Sequence, residues 1–241
     1  MPESGLTRRE LRDLYGEPDP LAASRVGLVA DLLRHGRVGR YIWESKRIQG
    51  WIRGREAVAL AQSSAGLPAG AIIVEIGSFL GCSTVILAGS RRLRGSGILH
   101  AIDPFSGSGD TFSAPIYQQI TAASARSLRE RFEENIDRAG LSAWVQVHQA
   151  TALEVAHGWT SPIDMLYLDG DQSRRGARDS FLAWESFLRK DGLLAINNSA
   201  DGAHPPDHDG ALQVVRELVA PPAYCEIERV EAVTFAKKSG G

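Results

Sequence analysis

Two short apolar segments separated by a glycine-bearing turn constrain the fold of this chain more than any other feature. The first covers residues 72–76 and runs into Gly77, and the second covers residues 98–102 and is followed directly by Asp103. This pattern predicts a strand, a glycine turn, a helix and a second strand that ends in an acid. Together these elements form one nucleotide-binding half of a doubly wound sheet. Asp103 would then lie where a carboxylate can accept two hydrogen bonds from a ribose diol.

The spacing within the turn distinguishes between ligands. Dinucleotide folds use G-x-G-x-x-G to place a pyrophosphate on a helix N-terminus, whereas this chain has E-x-G-x-x-x-G, from Glu75 to Gly81, with Phe79 where a glycine would stand. The carboxylate of Glu75 would repel a diphosphate and suits a cationic ligand. The turn therefore favours S-adenosylmethionine, a sulfonium without phosphates, over NAD, and an NAD-type oxidoreductase is the less favoured alternative.

Four motifs in the order of the chain carry a family resemblance. They are EIGSFLG at 75–81, DPFSGSGD at 103–110, IDMLYLDGDQS at 163–173 and GLLAINN at 192–198. With them the chain resembles the class I S-adenosylmethionine-dependent methyltransferases. More narrowly, it resembles a bacterial branch that includes O-methyltransferases of antibiotic and sugar biosynthesis and related metal-dependent enzymes.

The resemblance and the alternation of predicted elements imply an α/β fold with a doubly wound, mostly parallel, Rossmann-like sheet. Residues 1–65 would be a helical N-terminal extension, of which residues 1–20 are expected to be loosely ordered, and residues 66–241 would bind the cofactor. The predicted strands are 71–76, 98–102, 144–148, 163–168, 192–197 and 225–236, the last as one strand or an antiparallel pair. The predicted helices in this part are 82–93, 124–139, 174–188 and 209–219.

The resemblance also assigns the cofactor contacts. Asp103 would hold the ribose, and Pro104 and Phe105 would lie beside the adenine. The long segment 104–123 is expected to be either a lid that faces the substrate or a plain surface loop. The methionine and sulfonium part would lie on the turn and on the acid after the fourth strand, and the adenine edge would follow the third strand; the expected residues are Glu75, Gly77, Ser78, Phe79, Gly81, Ser83, Ala150, Thr151 and Asp169.

A metal site is the first point at which the chain departs from the family pattern. Asp169 occupies the position of a metal ligand, and two more ligands would follow the next strand, where this chain has Asn197 and Asn198. Amide oxygens are neutral and bind Mg²⁺ less well than carboxylates. A magnesium site on these three residues would be poor, so we expect activity to survive chelation.

The general base is the second departure. The family has a histidine in D-G-D-H, but here Gln172 follows Asp171 and cannot take up a proton at neutral pH. Three interpretations remain: the base has moved, the acceptor is an amine that needs no deprotonation, or the protein binds cofactor as a scaffold without catalysis. A moved base would be His204 or His208, in a segment that could also bind metal through its acids or be an ordinary exposed loop. The other candidate catalytic residues are Asp169, Asp171 and Gln172, which follow the fourth strand.

Composition limits the partners. The net charge of −2 carries no basic field for nucleic acid, and no segment has the roughly 20 apolar residues that span a bilayer. Two distant cysteines and no export signal predict a reduced, cytoplasmic setting. The expected partner is a small-molecule acceptor of unknown identity, in secondary-metabolite or sugar modification, with O-methylation favoured over N-methylation. An apolar stripe within residues 21–65 suggests a homo-oligomer.

Overall fold

Seven strands form a single mixed sheet in the computed structural model, which describes residues 7–202 and 204–240. The order across the sheet is β3-β2-β1-β4-β5-β7-β6, in which the first five strands are parallel and β7 runs antiparallel to both of its neighbours. The strands are β1 (Ile72–Ile76), β2 (Ile98–Ile102), β3 (Val145–His148), β4 (Ile163–Leu168), β5 (Leu188–Ile196), β6 (Tyr224–Val230) and β7 (Val233–Lys238).

The predicted fold class is confirmed by this sheet. The predicted strands 98–102 and 163–168 coincide with β2 and β4, because both are apolar runs buried on two faces, as parallel strands are. The segment 225–236 is an antiparallel pair rather than one strand, since the chain reverses at Glu231, whose φ is +54°.

Ten α-helices flank the sheet within the described residues. Four of them, α5, α7, α9 and α10, correspond to the predicted helices, whereas α6 and α8 were not predicted. The helices are α1 (Arg8–Leu14), α2 (Arg25–His35), α3 (Gly39–Ser45), α4 (Gly54–Gly66), α5 (Cys82–Arg94), α6 (Ser113–Ala122), α7 (Leu128–Arg138), α8 (Ala152–His157), α9 (Arg174–Trp184) and α10 (Gly210–Leu218).

Helix α1 corrects the expectation of a loosely ordered N-terminal stretch. A capping box starts it: Thr7 Oγ1 accepts from the Glu10 backbone, and the Glu10 carboxylate accepts from the Thr7 backbone at 2.8 Å. The chain then returns to the rest of the extension, where Gly50 N donates to Gly16 O at 2.8 Å. The remaining residues of that expectation, 1–6, lie outside the described part of the chain.

The N-terminal helices share a hydrophobic core with one face of the sheet. The ring of Tyr41 in α3 packs so closely on α5 that a Cβ on Gly89 would come within 2.1 Å of it. Leu60 of α4 and Phe132 of α7 are fully buried in the same cluster. On the other face, α8, α9 and α10 enclose a second cluster around Trp184. Both faces of the parallel strands are therefore covered.

Helix α2 turns its predicted apolar stripe to the outside. Val26, Val29 and Leu33 are exposed, whereas Asp31 is buried and accepts from Lys46 Nζ at 2.6 Å. A homo-oligomer formed through this stripe stays a prediction. Within residues 7–202 and 204–240, no helix combines the length and the apolar character that a membrane crossing requires.

Backbone hydrogen bonds bring the ends of the central strands together. Gly77 N donates to Ile102 O at 2.9 Å, and Asp169 N donates to Ile76 O at 2.8 Å. Asn197 N continues this row by donating to Leu168 O at 2.9 Å. The residues that follow β1, β4 and β5 consequently share the carboxyl edge of the sheet, where ligands bind in folds of this type.

Candidate functional site

The glycine turn after β1 packs directly against the end of β4. Gly77 has a φ of +86°, and a Cβ on it would come within 2.3 Å of the Asp169 carbonyl oxygen. Only glycine accommodates both the positive φ and this close approach. The turn continues through Phe79, which has a φ of +47° although it carries a side chain.

Glu75 supports this turn from below instead of facing a ligand. It is fully buried and accepts hydrogen bonds from Ser83 Oγ and Thr84 Oγ1, both at 2.5 Å, and from Ser78 Oγ at 3.0 Å. Burial raises the pKa of its carboxyl to about 7, although the three hydroxyls act in the opposite direction. Glu75 lines neither of the two cavities at this edge, so its expected contact with the cofactor stays a prediction, which this burial does not favour.

Gly81 is likewise a structural residue. It caps α5 with a φ of +90°, and a Cβ on it would meet the side chains of Phe132 and Ile136 at 3.2 Å. It contacts the core and lines neither cavity, so the expected contact of Gly81 with the cofactor stays a prediction. Ser78 and Ser83 do line a cavity.

Asp103 ties the turn to the end of β2. Its Oδ2 accepts from Phe79 N at 2.8 Å and its Oδ1 accepts from Phe105 N at 2.6 Å. Burial raises the pKa of the Asp103 carboxyl, and these backbone donors oppose the shift. Because each carboxylate oxygen has two lone pairs, both oxygens can accept a further bond from the cavity that Asp103 lines with Pro104.

The adenine-side expectations are met only in part. Phe105 does not reach the cavity: it is 8% exposed, and its ring lies 5.3 Å from that of Phe132 in the core, since the chain turns at its φ of +52°. Thr151 lines the cavity and also caps α8 by accepting from Glu154 N. Ala150 does not line it.

Two cavities meet at the carboxyl edge of the sheet. The first has a volume of about 320 Å³ and the second about 470 Å³. They share one wall, which consists of Gly77, Phe79, Tyr117 and Asp169. A ligand in the second cavity and a ligand in the first can therefore approach each other across this wall.

Three aromatic rings surround the point where the cavities meet. Phe79 lies 5.0 Å from Tyr117 and 5.7 Å from Trp51, and Trp51 lies 5.8 Å from Tyr117. The faces of such rings attract cations. Neither Trp51 nor Tyr117 was predicted from the sequence, because they come from the N-terminal extension and from α6, far from the glycine turn.

The segment 104–123 and the N-terminal extension enclose the first cavity. Phe112 and Ile116 of that segment line it, as does Leu14 of α1, whose carbonyl accepts from Trp51 Nε1 at 3.3 Å. The lid expectation for 104–123 thus agrees with its position over the site, and α6 makes it a helical element instead of an extended loop.

Asp169 lies at the wall between the cavities in a closed hydrogen-bond network. Its Oδ1 accepts from Asn197 Nδ2 at 2.8 Å, and its Oδ2 accepts from the Tyr167 hydroxyl at 3.1 Å. Burial raises the pKa of this carboxyl to about 8, and the two donors oppose that shift. Asn197 and Asn198 are both among the residues that line the first cavity.

This arrangement does not fit a magnesium ion. A metal on Asp169 would share that carboxylate with the N–H group of Asn197 and the hydroxyl of Tyr167, and Asp169 would be the only carboxylate among the three expected ligands. Within the part of the chain that the structure describes, no three His, Cys, Asp or Glu residues are grouped to hold a metal.

His208 and Asp110 form an imidazole–carboxylate pair beside the first cavity. His208 Nδ1 lies 3.1 Å from Asp110 Oδ1, and the Phe112 ring packs 5.0 Å from the imidazole. Burial favours a higher pKa for Asp110, but the hydrogen bonds from His208 and Ser113 outweigh it and lower the pKa to about 2. The ionised carboxylate can only accept, so Nδ1 carries the proton and Nε2 is left as an acceptor.

The other predicted catalytic residues do not lie together at one site. His204 Nε2 lies 2.9 Å from the Ala200 carbonyl oxygen, and His204 lines neither cavity. Asp171 is exposed at the rim of the second cavity, where it accepts from Ser173 N at 2.9 Å. Gln172 is buried and lines the first cavity. Asp110 was not predicted, although it closes the DPFSGSGD motif.

Comparison with solved structures gives related folds. Cofactor-bound Rv0187 from MTB is 16% identical, with a TM-score of 0.59, over 93% of this chain and all of that one. TomG of Streptomyces achromogenes, an O-methyltransferase of tomaymycin synthesis in complex with SAM, is 17% identical, with a TM-score of 0.60, over 88% and 96%. An O-methyltransferase from Bacillus cereus in complex with SAH is 17% identical, with a TM-score of 0.52, over 78% and 82%.

A family model assigns the chain more directly than these distant folds do. The model is described as a methyltransferase domain and matches residues 74–199, which is just over half of the chain and includes the glycine turn, Asp103, Asp169 and Asn197. The match begins in β1 and ends just after β5, so it covers the strands whose carboxyl ends build the two cavities. The chain belongs to the methyltransferase domain family and is a methyltransferase.

Proposed function

We propose that this chain is an S-adenosylmethionine-dependent O-methyltransferase that acts on a small molecule, with His208 as its general base and without a metal. The observation that carries the proposal is the His208–Asp110 pair at a cavity that shares a wall with a second, cofactor-sized one. We extend the proposal to secondary-metabolite or sugar modification, which is supported by the resemblance of the motifs and by the similarity to TomG.

The second cavity suits the adenosine of the methyl donor. Asp103 faces it and retains lone pairs for a ribose diol. Pro104 and Thr151 line the same cavity, on the side where the adenine would lie. The binding of SAM or SAH by similar folds supports this placement. Asp171 is exposed to solvent at the rim of the second cavity. We therefore assign it to the adenosine side and not to the reacting atoms.

The shared wall suits the sulfonium. The rings of Phe79 and Tyr117, 5.0 Å apart, offer electron-rich faces, and Asp169 adds a carboxyl that is ionised once a cation lies beside it. S-adenosylmethionine supplies an electrophilic methyl group on a positively charged sulfur. The residues of this wall would hold that group between the two cavities, within reach of an acceptor in the first cavity.

His208 would remove the acceptor's proton. Nε2 takes the proton of the hydroxyl as the oxygen bonds to the methyl carbon and the carbon–sulfur bond breaks, and the electron pair of that bond stays on sulfur. The products are a methyl ether, S-adenosylhomocysteine and an imidazolium that later releases its proton to water. Asp110 holds the imidazole in the tautomer with a free Nε2 and stabilises the imidazolium.

The apolar lining of the first cavity keeps water away from this step. Leu14, Ile52, Phe112 and Ile116 surround the reacting groups together with the aromatic cluster. Exclusion of water strengthens the interaction between the developing imidazolium and Asp110 and prevents hydrolysis of the donor. The volume of about 320 Å³ matches a small molecule and is at the lower end of the ordinary range for ligand sites.

The proposal is tested in two stages. Calorimetric titration with S-adenosylhomocysteine, with and without Mg²⁺, should show binding of equal affinity in both buffers. Turnover of S-adenosylmethionine should then be measured against a panel of small hydroxyl compounds by the formation of S-adenosylhomocysteine. Binding without any turnover would favour the cofactor-binding scaffold, and no binding at all would contradict the methyltransferase assignment of the site.

A pair of histidine variants tests the base. His208→Gln should lower kcat by about 10²-fold or more, which is the usual contribution of a positioned base. His204→Gln is the matched control, since His204 lies on the same segment but outside both cavities, and it should leave kcat unchanged. A His208→Gln enzyme with an unchanged kcat would remove His208 from the mechanism.

A further inference from the structure

Helix α2 exposes its apolar side chains and buries its acid. Val26, Val29 and Leu33 are 71%, 55% and 84% exposed, and their spacing of three and four residues places them on one face of the helix. On the opposite side, Asp31 is buried and accepts from Lys46 Nζ at 2.6 Å. A helix whose outer face meets only water has the reverse arrangement. This apolar stripe therefore indicates a face that contacts something other than water.

The stripe is the centre of a larger apolar patch. Leu21, in the turn before α2, is 74% exposed, and Leu32 is 40% exposed. Half of the ten large apolar side chains that are exposed in the described part of the chain lie between residues 21 and 33. Single exposed apolar residues are ordinary on a protein surface, whereas a contiguous group of them marks an interaction surface.

Unpaired positive charge accompanies the patch. Arg25 immediately precedes the stripe and Arg34 immediately follows it, so each lies on one side of it. Between residues 20 and 43 the one acid is Asp31, and Lys46 neutralises it. Four arginines of this segment are exposed, and none forms an ion pair with the described residues; they are Arg25, Arg34, Arg37 and Arg40.

A second copy of the chain, the partner that the sequence predicts for this stripe, fits the charges poorly. In a two-fold symmetric dimer both subunits present the same face. The same arginines would then meet at the interface, with no exposed acid from residues 20–43 to neutralise them. The face is also small: α2 has 11 residues, which makes it roughly 16 Å long and 10 Å wide. Each partner in a standard protein interface buries roughly 800 Å².

From the patch and its charges we infer that α2 binds the surface of an anionic lipid bilayer. Val26, Val29 and Leu33 enter the boundary between head groups and acyl chains, and the flanking arginines donate to lipid phosphates. Such a surface combines an apolar phase with a layer of negative charge, which complements both features of this face. The helix lies in the plane of the bilayer and does not cross it.

The lipid-binding face is separate from the two cavities. None of the apolar residues of the patch and none of the four arginines lines either cavity, so the inference does not depend on the proposed function. The N-terminal extension that carries this face also contributes Leu14 and Trp51 to the first cavity. A bound bilayer would therefore lie against the element that encloses the acceptor.

Co-sedimentation of the full chain with lipid vesicles tests the inference. One set of vesicles is phosphatidylcholine alone, and in the other set about a third of the lipid is phosphatidylglycerol. The protein should bind the anionic vesicles at least about tenfold more tightly than the neutral ones. Their affinity should fall as NaCl rises from about 0.05 M to about 0.5 M, because salt screens the attraction between arginine and phosphate.

Two double variants separate the apolar contribution from the charge. Val29→Ser with Leu33→Ser removes the centre of the stripe, and Arg25→Gln with Arg34→Gln removes the flanking charges. Each double variant should bind the anionic vesicles at least about tenfold more weakly than the parent. All four side chains are exposed, so the melting temperature should be that of the parent.

Helix α9 provides matched controls. Leu182 is 50% exposed there, and Arg178 is paired with Glu217 at 2.6 Å. Leu182→Ser and Arg178→Gln make the same kinds of change on a helix whose arginine has a carboxylate partner. Both control variants should keep the vesicle affinity of the parent.

The inference is wrong if the protein binds neither kind of vesicle, or binds both equally. It is also wrong if the α9 controls lose as much affinity as the α2 variants, since the contact would then not be specific to this face. A loss in the arginine variant alone would leave the apolar stripe out of the contact and contradict the inference. Sedimentation velocity tests the rival partner: a parent dimer that Val29→Ser with Leu33→Ser converts to a monomer would make the stripe an interface between copies.

Discussion

Asn197 directs its side-chain amide toward Asp169, with Nδ2 2.8 Å from Oδ1. In the family that the motifs resemble, these two positions would share a metal ion. Here Asn197 directs its N–H group, and not its amide oxygen, toward the Asp169 carboxylate, and Asp169 is the only carboxylate among the three expected ligands. This hydrogen bond and the one from the Tyr167 hydroxyl occupy one position on each oxygen of the Asp169 carboxylate.

We predict that methyl transfer is independent of divalent metal. Turnover should be unchanged in EDTA and unaffected by added Mg²⁺, since Asp169 is the only carboxylate among the three expected ligands and already accepts hydrogen bonds from Asn197 and Tyr167. Initial rates of S-adenosylhomocysteine formation in the two buffers measure this. A loss of turnover in EDTA that Mg²⁺ restores would show that Asn197 and Asn198 do ligate a metal.

Asn197→Asp should create a response to metal. The substitution removes the donor and places a second carboxylate beside Asp169, so the pair repels unless a cation lies between the two side chains. We expect a lower melting temperature in EDTA and a rise on addition of Mg²⁺ or Mn²⁺, whereas the parent protein should show no such rise. A variant that melts at the same temperature with and without metal would contradict this account of the site.

Asp110→Asn should reduce kcat without unfolding the lid. The asparagine side-chain oxygen can still accept from the Phe112 and Ser113 backbones, both at 3.0 Å, but it cannot stabilise an imidazolium at His208. We expect kcat to fall by about 10²-fold and the affinity for S-adenosylhomocysteine to remain unchanged. Steady-state kinetics and calorimetry separate the two effects, and equal losses in both would indicate a structural role for Asp110.

The sheet could be predicted because its signal is local. β2 and β4 are short apolar runs bounded by polar residues, and the acid or glycine after each strand marks the carboxyl edge. Asp103 and Asp169 were placed at this edge for that reason. Phe79 and Ser83 came with the glycine turn, whose geometry is common to folds of this type.

The direction of the side chains could not be predicted in the same way. Glu75 was expected to face the ligand, but the hydroxyls of Ser83 and Thr84, one turn into α5, hold it inside the protein. Asp110 and Trp51 reach the site only because α6 and the N-terminal extension fold over it. These contacts span long sequence separations. The DPFSGSGD motif contains Asp110, but neither a motif nor a periodicity indicates that Asp110 meets His208.

The buried carboxyl of Glu75 predicts a specific dependence of stability on pH. Its pKa is about 7 in the folded protein and about 4.5 when exposed, so the folded state binds the proton more tightly. The contribution to the free energy of unfolding is fully present below pH 4.5 and is lost as the pH rises through 7. Glu75→Gln has no proton to lose, so its melting temperature should fall less than that of the parent between pH 5 and pH 8.

The same melting series contains its own check. Other groups titrate in both proteins, so the difference between the two curves isolates Glu75. Parallel curves across the whole range would mean that Glu75 titrates alike in the folded and unfolded states. A steeper fall in the variant would reverse the sign expected from a carboxyl whose pKa is raised by burial.

The affinity for S-adenosylmethionine should rise with pH through the titration of Asp169. Burial raises the pKa of this carboxyl to about 8, so at lower pH it is neutral and attracts the sulfonium weakly, and at higher pH it is ionised. Calorimetric titration between about pH 6 and pH 9 should show this rise. Asp169→Asn is the control. The amino group of the ligand titrates in the experiments with both proteins, so the difference between their pH dependences of affinity is due to Asp169. Equal dependence in the two proteins would remove Asp169 from cofactor binding.

Gly77→Ala tests whether the close packing of the glycine turn against β4 positions the cofactor. A methyl group at Gly77 would come within 2.3 Å of the Asp169 carbonyl oxygen, and its φ of +86° is strained for any other residue. We expect the turn to move away from β4, which lowers the melting temperature and weakens S-adenosylhomocysteine binding by at least about tenfold. Gly66→Ala is the matched control, because a Cβ there meets nothing within 4 Å, and both properties should be retained. A Gly77→Ala protein with the affinity of the parent would show that the close approach between β1 and β4 does not position the cofactor, and the shared wall would lose its role in aligning the methyl group with the acceptor.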